Sequence, residues 1–266
     1  MTKIGRIIRR LIGEPPPHPR TVLDQIDPAA SVLEVGPFFR PAVRGPNVRY
    51  FDVLTHNELV TRATAIGFDP TYVPEFIDFV SPVGDMSVIE GTYDFIVSSH
   101  CIEHQPDLVA HLEHIAGLLK PQGAYLAIIP DKRYCFDHFL PESSLSDIVA
   151  AHIERRRVHP ADKIIEHLAG TTHNDPVRHW AGDHKEAGWQ QYDAARVSHA
   201  CNVIAEASGG YVDVHSWQFT PRSFVTTLDG LRQLGLTRLS ATKLLETPRN
   251  ALEFSAVIQW DKGPIS

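Results

Sequence analysis

The sequence predicts an α/β fold in which a mostly parallel sheet carries helices on both faces. Short β-branched apolar runs alternate with helical stretches over residues 21–130, and the alternation returns over residues 220–266. The chain has 266 residues, of which 43% are hydrophobic and 21% charged, typical of a globular protein that builds its core without disulfides or metal ions. We therefore expect a core domain over 21–130 that is completed by 220–266.

Five short runs in the first half of the chain predict the strands of this sheet. The first run stops at a glycine and the second ends in an acid, while the fourth and fifth are almost continuously apolar, as buried parallel strands are. In chain order the five runs are Ser31–Gly36, Val48–Asp52, Tyr72–Phe79, Tyr93–Ser98 and Gly123–Pro130.

Helical patterns separate these strands. The stretch Asn57–Ile66 is the first, with Asn57 as its expected N-cap. The stretch Pro106–Lys120 is the second, because its apolar residues recur at spacings of three and four and a proline suits its first turn. The later elements are a helix over Thr220–Leu234 and strands over Leu236–Glu246 and Phe254–Trp260.

The alternation of strands and helices breaks between residues 131 and 219. This segment is rich in His, Arg and Trp, and we expect it to form an inserted helical cap on the substrate side of the sheet. Between residues 136 and 200 it holds eight of the 15 histidines of the chain, namely His138, His152, His159, His167, His173, His179, His184 and His199.

Charge and cysteine content exclude several classes of protein. The formal net charge of −7 argues against a protein that binds nucleic acid by bulk electrostatics. The three cysteines form no CxxC pair, which argues against a disulfide scaffold or a zinc ribbon and favours a reducing, cytoplasmic compartment. No apolar run approaches the ~20 residues that a membrane-spanning helix needs.

Residues 1–20 differ in character from the rest of the chain. Basic residues alternate with isoleucines and leucines over the first twelve positions, which predicts a basic amphipathic helix, and a Pro-rich linker follows. Two interpretations stay open at this point. The helix either packs on the body of the protein or makes peripheral contact with a membrane surface, such as that of the inner membrane.

Acidic and small residues follow the strands where a ligand of a parallel sheet would bind. Ligands of such sheets lie in the crevice beyond the carboxyl ends of the strands. The candidate cofactor-binding residues, taken from these strand ends and the loops after them, are Glu34, Gly36, Pro37, Asp52, Asp78, Asp85, Ser99 and His100.

The segments YDFIVSSHCIEH and LLKPQGAYLAIIP, together with the acid-glycine pair after the first strand, resemble the class I methyltransferases that use S-adenosylmethionine. The resemblance implies a Rossmann-like, doubly wound, mostly parallel seven-stranded sheet with the cap inserted after strand five. It also implies that Gly36 lies near the methionine part of the cofactor and that Asp52 binds the ribose hydroxyls. Asp85, or failing that Asp78, would face the adenine amino group.

A narrower resemblance concerns the acceptor. The strings EVGPFFRP, IPDKRYCFDHF, HNDPVRHWAGDH and DVHSWQFTP are similar to a bacterial branch of methyltransferase-domain proteins associated with glycosyltransferases and surface polysaccharide synthesis. This resemblance implies O-methylation of a carbohydrate or glycoconjugate hydroxyl, so we expect a small-molecule or glycan acceptor.

The turn GPFFRP carries one glycine where the family usually has three. So sparse a turn argues against a nicotinamide cofactor, whose pyrophosphate needs several backbone donors. It leaves open a non-catalytic scaffold of glycan assembly that has kept the fold.

A sugar hydroxyl is a poor nucleophile, so O-methylation needs a general base or a metal ion. The candidate catalytic residues are His104, after the fourth strand, and His173, Asp175 and His179 of the cap. The candidate ligands of a divalent metal are His179, Asp183 and His184. The alternatives are that the cap residues are buried polar groups which tie the cap to the core, or that they form the centre of a metal-dependent hydrolase.

The enzyme hypothesis depends on one geometric expectation. Glu34, Asp52 and the Ser99-His100 loop should converge on one nucleoside-sized hollow at a single edge of the sheet. Bulky side chains such as Phe38 and Phe39 should leave that hollow open.

Overall fold

A computed structural model describes residues 17–261 and contains one seven-stranded sheet with helices around it. The strand order is β3-β2-β1-β4-β5-β7-β6. Strand β7 is antiparallel to both of its neighbours, and the pairs from β3 through to β5 are parallel. This confirms the expected Rossmann-like, mostly parallel fold. The strands are β1 (Val32–Val35), β2 (Val48–Asp52), β3 (Phe79–Val80), β4 (Tyr93–Ser99), β5 (Leu119–Pro130), β6 (Leu239–Leu245) and β7 (Glu253–Trp260).

Seven α-helices flank the sheet within the described residues. Two of them, α1 and α7, begin with capping boxes, in which the side chain of the N-cap residue and that of the third helical residue bond to each other's backbone. The helices are α1 (His56–Ala65), α2 (Leu108–Leu118), α3 (Leu145–Ile153), α4 (Ala161–Gly170), α5 (Pro176–Trp180), α6 (Ala194–Ala207) and α7 (Pro221–Gln233).

Most of the predicted elements are present, and the differences are local. The expected strand over Tyr72–Phe79 was wrong, because its beginning forms a 3₁₀ turn, Pro70–Tyr72, and β3 is only two residues long. The N-cap of α1 is Thr55 rather than Asn57, since the threonine hydroxyl accepts a hydrogen bond from the Glu58 amide.

The core lies on both faces of the sheet, and β1, β4 and β5 are buried almost throughout. The segment between β5 and α7 contains α3 to α6, so it is helical as expected. The boundaries proposed for the cap, 131–219, stay a prediction. Within residues 17–261, no helix is both long enough and apolar enough to cross a bilayer. The basic helix predicted near the N-terminus lies almost entirely outside the described residues.

Candidate active site

One cavity of about 540 Å³ opens at the carboxyl ends of β1, β2 and β4. This volume is in the range of small-molecule sites. One side of the cavity is formed by residues that directly follow the strands, including Gly36, Asp52 and Cys101, and by Met86 from the 3₁₀ turn before β4. The cavity therefore lies at the crevice where parallel sheets bind their ligands.

Gly36 ends β1 in a conformation that suits glycine. Its φ of 71° lies in the left-handed region, and a Cβ there would stand 3.2 Å from the Sγ of Cys101. The Gly36 amide donates a hydrogen bond to the carbonyl of Phe51 on β2. The glycine thus lets the backbone of this turn pass close to Cys101, which also lines the cavity.

Asp52 ends β2 and lines the cavity as a mostly buried carboxylate. Burial raises its pKa, and backbone hydrogen bonds, the one from Leu54 among them, oppose this change. A buried carboxylate of this kind is suited to accept hydrogen bonds from two neighbouring hydroxyl groups.

Glu34 has a different place from the one expected. Its carboxylate is 1% exposed and accepts hydrogen bonds from the amides of Ala42 (2.7 Å) and Val43 (3.0 Å). Burial raises its pKa to about 7 in spite of these two bonds. Glu34 does not line the cavity, so its expected contact with the cofactor is corrected to a role in holding the loop after β1.

Four other predicted cofactor residues lie beside the cavity without lining it. Asp78 accepts a hydrogen bond from the Tyr50 amide on β2. Asp85 caps the 3₁₀ turn by accepting from the Ser87 amide, although its two neighbours, Gly84 and Met86, do line the cavity. The remaining two are Pro37 and Ser99. These four side chains therefore do not line the cavity as expected, and the two acids accept hydrogen bonds from backbone amides instead.

The two phenylalanines after Gly36 leave the cavity open. Phe38 forms part of its wall, with a φ of 45°. Phe39 turns away and stacks on Phe68, with ring centroids 4.0 Å apart. The predicted hollow is therefore present at one edge of the sheet, and it includes Asp52 and His100 but not Glu34 or Ser99.

His100 projects from the loop after β4 with a φ of 52°, in the left-handed region that few non-glycine residues adopt. Its Nε2 lies 2.8 Å from a carboxylate oxygen of Glu253 at the start of β7. Arg20 bonds to the same carboxylate. This network fixes His100 at the rim of the cavity.

The opposite side of the cavity is formed largely by polar and aromatic groups, which we call the cap-side wall. His104 comes from the 3₁₀ turn after β4, and the other members come from the segment between β5 and α7. The cap-side wall consists of His104, Phe136, His167, Tyr211, Asp213 and His215.

His104 is the one predicted catalytic residue that lines the cavity. Its Nδ1 lies 2.9 Å from an oxygen of Asp213, in an ion-pair contact that is too bent for a regular hydrogen bond. Burial lowers the pKa of His104, but the carboxylates of Asp213 and Glu103 outweigh burial and raise it. Burial likewise opposes ionisation of Asp213, yet His104 and Arg62 hold the pKa of this acid far below its usual range.

The other three predicted catalytic residues serve the structure of the cap. The Nε2 of His173 bonds to the Asp183 carbonyl, and the Nε2 of His179 bonds to the His173 carbonyl. Asp175 caps α5 by accepting from two of its amides. None of these three side chains lines the cavity, so the structure does not bring them together with His104 as expected.

The predicted metal ligands His179, Asp183 and His184 do not converge as a set. Asp183 bonds to Arg178 at the surface, 2.7 Å away. His179 and His184 do meet, with their Nδ1 atoms 3.1 Å apart, and His138 stacks on His184. The expected set is corrected to a group of three imidazoles, which lies outside the cavity. Trp180, in the same segment, stacks on Tyr134.

A family model described as a methyltransferase domain matches residues 8–197, which is most of the chain. The chain belongs to this methyltransferase-domain family. The match includes β1 to β5 and therefore the side of the cavity that contains Gly36 and Asp52. No curated protein matches this methyltransferase-domain protein.

Solved structures resemble this methyltransferase-domain protein at low sequence identity. Mitomycin 7-O-methyltransferase MmcR is 14% identical, with a TM-score of 0.42 over 91% of this chain and 52% of its own. An S-adenosylmethionine-dependent methyltransferase from Clostridium acetobutylicum is 9% identical, with a TM-score of 0.43 over 97% and 98%. A putative Zn-dependent alcohol dehydrogenase from Rhodobacter sphaeroides is 14% identical, with a TM-score of 0.49 over 98% and 100%. The chain spans about half the length of the first two structures that it matches.

Several residues of the site carry no signal in the sequence. Tyr211 and Asp213 lie in an irregular segment before α7, and their place in the wall depends on how the cap folds back. Glu103 precedes His104 in the run CIEH, and that adjacency could have identified it.

Proposed function

We propose that this protein is an S-adenosylmethionine-dependent methyltransferase that methylates a hydroxyl of a carbohydrate or glycoconjugate. One observation carries the proposal. A single cavity joins strand-end residues of the cofactor type, Gly36 and Asp52, to a polar wall that is built by the cap. Membership of the methyltransferase-domain family supports the same conclusion.

The strand-end side of the cavity fits the methyl donor. Asp52 provides a carboxylate for the paired ribose hydroxyls, and the Gly36 turn lets the backbone approach the amino-acid part of the donor. Apolar side chains for the adenine are supplied by Leu59, Phe68 and Met86. The bound donor would supply an electrophilic methyl group on a sulfonium, and it carries no phosphate, so one glycine in the turn suffices.

The cap-side wall supports a hydroxylated acceptor. Sugars present both apolar C–H faces and hydroxyl groups. The Phe136 ring offers a surface for such a face, and His167, Tyr211 and Asp213 offer hydrogen-bond partners beside it. The resemblance to proteins of polysaccharide synthesis points to the same class of acceptor.

The transfer itself is an in-line displacement. A bond forms between the acceptor oxygen and the methyl carbon, the bond from that carbon to sulfur breaks, and the hydroxyl proton passes to a basic group of the cap-side wall or to water. The chain's contribution is to hold both partners in one cavity and to limit the access of water.

Binding of S-adenosylhomocysteine, measured by isothermal titration, tests the cofactor half of the proposal. The wild-type protein should bind one equivalent, and Asp52→Ala should weaken binding by at least about tenfold, because a charge-assisted hydrogen bond contributes about 1.5–3 kcal/mol. Asp78→Ala is the matched control, since Asp78 directly precedes the neighbouring strand β3 and does not line the cavity. Equal effects of the two substitutions, or no heat with the wild type, would contradict the proposal.

The single-glycine turn supports a second candidate function, that of a non-catalytic scaffold. A scaffold would keep its cellular role after Asp52→Ala, whereas an enzyme would lose it. The metal-dependent hydrolase is not proposed, because the cap imidazoles on which it rested bond to the backbone and to each other. Peripheral membrane contact through residues 1–20 and a cytoplasmic location stay predictions from the sequence.

A further inference from the structure

Glu103 is a buried carboxylate without a hydrogen-bond partner. Its side chain is fully buried, and neither Oε1 nor Oε2 accepts a hydrogen bond. It lies in the 3₁₀ turn Ile102–His104, directly behind the cap-side wall. An ionised carboxylate in such a place is costly unless a proton or a cation compensates it.

Two imidazoles of the cap-side wall face this carboxylate. The Nε2 of His215 lies 3.7 Å from the Oε1 of Glu103, and the Nε2 of His104 lies 3.9 Å from the same oxygen. The two rings meet edge to face, with centroids 4.5 Å apart. These separations are too long for hydrogen bonds, which span about 2.7–3.2 Å. A gap therefore remains at the centre of the three groups.

The outer nitrogens of both imidazoles face carboxylates. The Nδ1 of His215 lies 2.6 Å from Asp137, and the Nδ1 of His104 lies 2.9 Å from Asp213. The hydrogen bond between the Nδ1 of His215 and Asp137 holds the ring proton there, and so it leaves the Nε2 lone pair of His215 free. Histidines that bind metal ions in proteins are oriented by such carboxylates. In both rings the nitrogen nearest to Glu103 is Nε2.

We propose that Glu103, His104 and His215 bind a divalent first-row transition cation, such as Zn²⁺ or Mn²⁺, at the acceptor side of the cavity. The three ligand atoms lie within 4.8 Å of one another. Ligands about 2.1 Å from a tetrahedral ion are about 3.4 Å apart, so each of the two distances from Glu103 to an imidazole nitrogen would shorten by about 0.3–0.5 Å on binding. Two imidazoles and one carboxylate suit such an ion.

Local charge favours a cation at this place. Three carboxylates, those of Glu103, Asp137 and Asp213, surround the two rings. The nearby basic groups are Arg62, which pairs with Asp213, and His100, whose Nδ1 lies 3.8 Å from Glu103. A divalent ion would balance the remaining negative charge. Buried charge without such compensation is unfavourable at low dielectric constant.

The inference rests on the proposed function, because the site would serve the acceptor. His104 and His215 line the cavity, so the open coordination positions of the ion face the space beside the cofactor side. There the ion would hold an acceptor hydroxyl and lower its pKa, and the proton would pass to water in the open cavity. His104 would then be a ligand rather than the general base.

Metal binding to untagged, EDTA-treated protein tests the proposal. Isothermal titration with ZnCl₂ and with MnCl₂ should show one site for at least one of the two ions. Glu103→Gln, which keeps the shape and removes the charge, should weaken that binding by more than about 100-fold. Asp137→Asn, which changes only a positioning residue, should weaken it about 10- to 100-fold. His184→Gln is the control, because it alters the other group of imidazoles.

Two further measurements separate the outcomes. Glu103→Gln should unfold at a higher temperature than the metal-free wild type, since it removes an unpaired buried charge, and it should no longer be stabilised by the metal. Binding of S-adenosylhomocysteine to Glu103→Gln reports on the proposed function alone. Wild-type protein that binds S-adenosylhomocysteine but neither ion would overturn the metal site and leave the methyltransferase proposal intact. Loss of the ion in His184→Gln, with retention in Glu103→Gln, would also overturn it.

Discussion

Two acids at neighbouring strand ends, Glu34 and Asp52, have opposite surroundings in this protein. The backbone after β1 folds back over Glu34 and saturates its carboxylate with two amide donors. The backbone after β2 passes beside Asp52 and leaves it on the cavity wall. Both acids follow an apolar run in the sequence, so the pattern could identify the strand ends. It could not determine which carboxylate faces the ligand, because that depends on the path of each loop.

The buried Glu34 carboxyl predicts a specific dependence of stability on pH. Its pKa is raised from 4.5 to about 7 in the folded state, chiefly by burial. Between these values the folded chain binds more protons than the unfolded chain, so the free energy of unfolding falls as pH rises. This pKa change corresponds to a loss of about 3 kcal/mol in the free energy of unfolding over that pH range.

Urea unfolding between pH 4 and pH 8 measures this dependence. Glu34→Gln should remove most of the pH-dependent fall in the free energy of unfolding that the wild type shows. The NH₂ group of the glutamine matches the two backbone amide donors poorly. Glu113→Gln, at an exposed position of α2, should keep the wild-type slope. Parallel pH profiles for wild type and Glu34→Gln would show that Glu34 titrates normally.

The histidines show the limit of prediction at the residue scale. His104 was predicted to be functional and lines the cavity, whereas His173 and His179 were predicted alongside it and bond to carbonyl groups of the cap. Clustering in the sequence could not separate these cases. An imidazole bonds equally well to a ligand and to a backbone carbonyl, and only the folded loop decides between them.

At the scale of elements, periodicity predicted the strands that are buried on both faces. Strands β1, β4, β5 and β7 coincide with apolar runs in the sequence, since most of their residues are buried. Strand β3 lies at the edge of the sheet and pairs through two residues, so its position depends on pairing with β2 rather than on its own pattern.

The capping box of α1 closes the short loop that follows Asp52, so its loss should be measurable. The Thr55 hydroxyl accepts from the Glu58 amide, and Glu58 bonds back to Thr55. Thr55→Ala should lower the free energy of unfolding by about 1 kcal/mol. Thr61→Ala on an exposed position of the same helix should change it by less than about 0.5 kcal/mol, because alanine favours helix interiors. Equal losses in urea unfolding would contradict the capping role.

At the scale of the whole molecule, the cavity has two walls from different parts of the chain. The segments that follow β1, β2 and β4 form one side, and the segment between β5 and α7 forms most of the other. The family resemblance predicted this division, but it could not identify Tyr211 or Asp213, because no periodic pattern marks the irregular segment before α7.

Hydrogen exchange measured by mass spectrometry tests this arrangement. S-adenosylhomocysteine should slow amide exchange in peptides that cover residues 34–38 and 100–105, which border the cofactor side. Exchange over 171–185 should not change, because that loop is held by its own histidines away from the cavity. Slower exchange confined to residues 171–185 would indicate that the ligand binds to the cap, and it would contradict the proposed site.

The late position of β7 in the chain affects when the rim of the cavity can form during synthesis. Its first residue, Glu253, holds both Arg20 and His100, so the rim of the cavity is fastened by a strand that is made more than one hundred and fifty residues after β4. A nascent polypeptide still on the ribosome can pair β1 to β5 but cannot anchor His100. Full ligand affinity should therefore arise only after residues 253–260 have left the exit tunnel.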